Sequence, residues 1–177
     1  MNTYIALFRA LNVGGKNILP MKELEKFFRT LGYENVRTYM QSGNVVFESD
    51  KVVNEKEIVG MSRRIYEKIG FEPAIYVLDQ RQLEDAILQN PFPINSGKEL
   101  HFFFLQSPPK EPDIERLSFI KIESEEFKLT DKVFYLYAPK GIGRSRLAYS
   151  VEKALGVTTT ARNWNTVKKL SEMVKKA

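Results

Sequence analysis

The chain has 177 residues, 43% apolar and 28% charged, a make-up that excludes disorder and supports one sizeable core or two small ones. It has no cysteine and a single histidine, His101, so disulfides, thiolate chemistry, zinc ribbons and His-rich metal sites are excluded and no metal or cofactor is expected. The net charge of +5 is compatible with an anionic partner and equally with ordinary solubility.

No run of 18 apolar residues occurs, and the apolar N-terminal stretch contains Arg9 without a basic start. Neither a membrane span nor a secretory signal is therefore expected, and a cytoplasmic location follows by default.

In chain order, Thr3 to Leu11 reads as a strand, broken by Asn12-Val13-Gly14-Gly15-Lys16. Pro20 suits a helix start, since its missing N–H is unpaired there anyway. Leu24, Phe27, Phe28 and Leu31 follow at helical spacing, and Gly32 suits the C-terminal cap. Val36 to Met40 and Asn44 to Glu48 read as a hairpin around Gln41-Ser42-Gly43. Asn54 and Glu57 form a capping pair for a helix that continues to Gly70, and Ala74 to Leu78 is the next strand. This order, βαββαβ, is that of the ferredoxin-like plait.

Asp79 and Gln82 cap a short connecting helix through Leu88, which Asn90-Pro91-Phe92-Pro93 must end. The pattern then restarts. Leu100 to Gln106 is a strand, Pro112 opens a short helix carrying Ile114 and Leu117, and Glu126 to Leu129 pairs with Val133 to Ala138. Ser145 to Leu155 is a helix closed by Gly156, and Val157 to Ala161 is a short extended element. A last helix runs from about Asn163, with Val167, Leu170, Met173 and Val174 on one face and a basic face at Lys168, Lys169, Lys175 and Lys176. The expected fold is α+β, with two antiparallel ferredoxin-like subdomains, 1–88 and 89–177, joined through the Asn-, Pro-, Ser- and Gly-rich residues 89–98.

Four polar turns stand out as candidate ligand sites. In Asn12-Val13-Gly14-Gly15-Lys16, converging N–H groups and a lysine suit a phosphate, though a tight turn needing positive φ explains the same residues. Gly143, Arg144 and Ser145 stand at a helix start, where an anion or a simple cap fits. Arg162, Asn163, Trp164 and Asn165 combine guanidinium, indole and amides, which suits base stacking or a capped helix over a packed Trp. Gln41, Ser42 and Asn44, beside Arg37 and Tyr39 of the preceding strand, suit a ligand's polar edge or plain turn chemistry. Arg9 lies inside an apolar strand, where a charge needs a carboxylate, a ligand or an exposed face. His101 opens a buried strand, Leu100 to Leu105, and reads as structural.

At these same residues the chain resembles the bacterial domain-of-unknown-function 1697 family. The resemblance is carried by Asn12-Val13-Gly14-Gly15-Lys16, Pro20-Met21, Val36-Arg37-Thr38-Tyr39, Gln41-Ser42-Gly43-Asn44-Val45-Val46-Phe47 and Asn90-Pro91-Phe92. Gly141-Ile142-Gly143-Arg144-Ser145 and Arg162-Asn163-Trp164-Asn165-Thr166 extend it over nearly the whole length. It implies two plait-like subdomains and no established activity. Ala10 departs from it, where a glycine is usual.

The first functional expectation is binding of a phosphate-bearing small molecule or nucleotide in a cleft between the subdomains. The alternatives are RNA or single-stranded nucleic-acid binding on an open sheet bearing Tyr4, Phe8, Tyr39 and Phe47, an enzyme on a phosphorylated or carboxylated substrate clamped by Arg9, Arg144 and Arg162, and a protein-interaction module. No acid–base pair or activated nucleophile singles itself out.

Overall fold

In the computed structural model, which describes residues 1–175, the chain forms two compact units. The first comprises Met1–Asp85 with the residues from Leu170 on, and the second comprises Ala86–Lys169.

The first unit runs β1 (Asn2–Phe8), α1 (Met21–Thr30), β2 (Glu34–Tyr39), β3 (Asn44–Ser49), α2 (Glu55–Ile69) and β4 (Ile75–Asp79). Its four strands form an antiparallel sheet in the order β2-β3-β1-β4, the plait arrangement. Along β1, Tyr4, Ala6 and Phe8 face a core that also takes Leu24 and Phe28 of α1 and Met61 and Ile65 of α2. Ile5 and Leu7, which point to the opposite face, are buried as well. Burial on both faces is why this strand reads as one apolar run and not as an alternation.

Strand β1 stops three residues short of the expected Leu11. Ala10 and Asn12 take left-handed backbone, with φ of 60° and 55°, which no strand can continue. Helix α2 has the expected start and stop: Asn54 and Glu57 form a reciprocal capping box, and Gly70 closes the helix in the left-handed conformation.

Helix α3 (Gln80–Leu88) starts the same way, with Asp79 and Gln82 each accepting from the other's backbone N–H at 2.7 and 2.9 Å. The second unit continues with β5 (Leu100–Leu105), α4 (Ile114–Ile120), β6 (Glu126–Leu129), β7 (Val133–Tyr137), α5 (Arg146–Leu155) and β8 (Thr159–Asn163). Its sheet is again antiparallel, in the order β6-β7-β5-β8. Phe103, Phe134 and Leu136 pack on Leu147, Val151 and Leu155 of α5. The last strand lies two residues further along than expected, its register set by pairing with β5 from Leu105↔Thr159 to His101↔Asn163.

Helix α6 (Trp164–Val174) follows, with Val167, Leu170 and Val174 buried. Lys168, Lys169 and Lys175 are exposed, and Lys176 lies outside the described residues. Among the described residues, no helix is long and apolar enough to cross a membrane.

His101 is buried, and its Nε2–H donates to the Lys98 carbonyl at 3.0 Å. Burial pushes its pKa below the usual value, against the smaller opposing pull of that carbonyl. The unfolded chain therefore takes up the proton at higher pH than the folded one. The resulting stability is intact above about pH 6.5 and declines as the pH falls below it. Urea midpoints at pH 7.5 and 5.5 are expected to separate more for the native chain than for His101→Gln, and equal separations would refute the assignment.

Candidate functional site

Two stretches at the hairpin end of the first unit's sheet concentrate left-handed backbone. They are residues 10–17, with positive φ at Ala10, Asn12, Gly14, Gly15 and Asn17, and residues 40–43, with positive φ at Met40 and Gly43. Side chains with φ above zero are uncommon, and their clustering is typical of sites held by surrounding structure. The holding group here is Asn12. Its Oδ1 accepts from Leu19 N at 2.7 Å, while its Nδ2 donates to the carbonyls of Leu19 at 2.9 Å and Gln41 at 2.8 Å. Asn17 Nδ2 donates to the Ala10 carbonyl at 3.0 Å. One amide thus ties the glycine loop both to its own far end and to the β2–β3 turn.

Within that loop, Lys16 N donates to the Val13 carbonyl at 3.1 Å across Gly14 and Gly15, whose φ values are 59° and 71°. Two successive positive φ angles are what a primed two-residue turn requires. A Cβ at either glycine meets open space, so backbone conformation and not crowding selects glycine there. Gly14, Gly15 and Lys16 are exposed.

In the β2–β3 turn, Gln41 is exposed and Ser42 half-buried, whereas Asn44 is fully buried. Asn44 Nδ2 donates to the Tyr39 carbonyl at 2.7 Å and to Ser42 Oγ at 3.3 Å. Arg9 is partly buried, and its backbone N–H extends the pairing with the β4 side by donating to Ala74. The structure thus ties Asn12 to the β2–β3 turn at Gln41, and Asn44 to Ser42 within that turn.

In the second unit the expected residues have local structural roles. Ser145 is the buried N-cap of α5 and accepts from Ala148 N at 3.0 Å, while Gly143 and Arg144 before it are exposed. Arg162 is buried, and its Nη1 donates to Thr160 Oγ1 and the Ala161 carbonyl, both at 2.9 Å. Burial lowers its pKa to about 10, which leaves it charged at neutral pH. Asn163 caps α6 by accepting from Thr166 N at 3.0 Å. Trp164 stacks on Phe102 with ring centroids 6.0 Å apart. Asn165 is exposed, and its amide side chain lies so close to Gly97 that a Cβ there would overlap it.

Arg37, which the sequence offers only as a companion of the β2–β3 turn, is set apart by its environment. It sits in β2 opposite the fully buried Val46, while its neighbour Val36 points into the helix-side core. Arg37 therefore lies on the sheet's second face. Its Nε and Nη2 are shielded from water, and neither has a hydrogen-bond partner among the described residues. In the sequence its signals are its place ahead of the β2–β3 turn and beside Val36 in a short strand, which an exposed face explains as readily. Burial of the individual nitrogens cannot be read from that pattern.

A separate hollow of about 230 Å³ in the same unit is lined by Tyr33, Glu34, Glu48, Asp50 and Glu57, with Lys51 at its side. Its acidic lining repels anions. Burial, followed by the Glu57 charge, raises the Tyr33 pKa, so that phenol stays protonated. Among the described residues, no group of three His, Asp or Glu side chains is placed to hold a metal ion.

The conserved bacterial protein SP0830 from Streptococcus pneumoniae has a solved structure with the same fold. Its TM-score is 0.67 at 23% identity, over 98% of each chain. No curated protein matches the chain. The profile described as "Protein of unknown function (DUF1697)" matches residues 1–135, which contain the glycine loop, the β2–β3 turn and Arg37. The chain belongs to the DUF1697 family.

Proposed function

We propose that the first unit binds an anionic small molecule, phosphate-bearing or nucleotide in class, on the sheet face that carries Arg37, with the cytoplasm as the expected compartment. The observation that carries this reading is the buried, unsatisfied guanidinium edge. Each buried donor left without an acceptor costs about 1–3 kcal/mol, and more when charged. Such groups are rare in stable folds, and a ligand that supplies the acceptors accounts for this one. The left-handed loops held by Asn12 support the reading, because strained backbone is retained where it positions something.

The nucleic-acid alternative keeps the basic charge and the half-buried Tyr39 but loses most of its aromatic platform. Tyr4, Phe8 and Phe47 are core residues of the helix-side face and offer no platform for bases.

Thermal melting with a panel of orthophosphate, sugar phosphates and nucleoside mono- and diphosphates tests the proposal. A ligand at one hundred times its Kd adds about 2.7 kcal/mol of stability. That corresponds to a rise of several degrees for a chain of this size. If no member of the panel moves the midpoint at millimolar concentration, the proposal fails.

A further inference from the structure

The geometry points to Arg37 as a side-on receptor for one terminal oxyanion, a phosphate or carboxylate at the end of a small molecule; this rests on the anion-binding reading above. A guanidinium carries five N–H donors in a fixed plane. The two nitrogens without partners, Nε and Nη2, are neighbours on one edge of that plane. Their N–H bonds run parallel and match two oxygens of a single carboxylate or phosphate, the bidentate arrangement that distinguishes arginine from lysine.

Two carboxylates of the same unit, one on the neighbouring strand β3 and one on α1 at the helix-side face, are engaged elsewhere. Glu48, on the strand opposite β2, accepts from Asn35 Nδ2 at 2.7 Å. Glu25 of α1 accepts from Thr38 Oγ1 at 2.8 Å and pairs with Arg29 at 3.8 Å. Neither carboxylate bonds the Arg37 edge, which has no acceptor among the described residues.

The register Arg37↔Val46 fixes the backbone beneath the side chain. Because both nitrogens are closed to water, the oxyanion meets them through a swing of the arginine side chain or of the groups covering it.

Calorimetric titration of the native chain, Arg37→Lys and Arg37→Ala with orthophosphate, a sugar monophosphate and succinate, at constant ionic strength, tests the assignment. Circular dichroism confirms that each variant is folded. As a readout independent of variant folding, the Arg37 Nε–H resonance of the native chain is followed by nitrogen-15 NMR during the same titrations. Saturable binding of either probe class, weakened tenfold to a hundredfold in Arg37→Lys, with a downfield Nε–H shift on titration, supports the inference. The probe class that binds then identifies the terminal group. Native binding that Arg37→Lys retains within threefold, or an Nε–H resonance that stays put at saturation, overturns the inference and leaves anion binding elsewhere in the chain standing. No binding of any probe to the native chain overturns both.

Discussion

Replacing Gly43 by alanine is expected to destabilise the protein by about 2–5 kcal/mol, from a left-handed backbone cost of about 1–2 and an overpacking cost of about 1–3. Gly43 has φ of +78°, which side chains rarely adopt. An added Cβ would also stand 2.7 Å from Phe8 Cβ and 3.0 Å from Leu11 Cδ2. Neither neighbour can yield easily. Phe8 and Leu11 are buried, and Phe8 N is bonded to the Gly43 carbonyl at 2.9 Å. The loss should lower the melting temperature by on the order of 10 °C. Gly14→Ala is the control, since it shares the positive φ but meets open space, and it should cost only the backbone share, about 1–2 kcal/mol. Equal urea midpoints for the two variants would show that crowding at Gly43 contributes nothing.

Phe28→Ala is expected to cost about 3–5 kcal/mol, the range for deleting a fully enclosed aromatic ring. Phe28 has no exposed surface and is the centre of an aromatic cluster. Its ring meets Phe47 edge-on at 5.0 Å, Phe27 at 5.9 Å and Phe8 at 6.2 Å, with Tyr33 tilted against it at 5.8 Å. These partners come from β1, α1, β3 and the segment after α1, so the cavity would open where the sheet and its first helix meet. Phe119→Ala removes the same ring from a side chain 89% exposed and should change stability by less than about 0.5 kcal/mol. A Phe28→Ala loss no larger than that of Phe119→Ala, measured by urea unfolding, would contradict the cluster's role.

Local chemistry made much of the fold legible. The Asn54–Glu57 box, the Asp79–Gln82 pair, the Ser145 cap and the closing Gly70 and Gly156 each act within a few residues, so short-range pattern captures them. Strand ends were less legible, as at β1 and β8, because they depend on pairing partners distant in the chain. The candidate site was legible in its backbone and less so in its chemistry. The glycine loop and the β2–β3 turn were visible as turns, yet the amide that joins them acts across 29 residues of chain. The arginines that drew attention by their flanking glycines and tryptophan have local roles or lie exposed, while Arg37 sits in an unremarkable strand.

The order of elements, the helix caps, the family resemblance and the exclusion of cysteine chemistry and His-rich metal sites are all set by the sequence, because each follows from composition or from neighbours along the chain. Only the tertiary structure decided that Tyr4, Phe8 and Phe47 are core, that Asn12 clamps two loops, and that one edge of the Arg37 guanidinium is buried without an acceptor. Burial and hydrogen-bond satisfaction are properties of atoms brought together from distant parts of a chain. They arise when β2 aligns against β3, and no spacing within β2 encodes them.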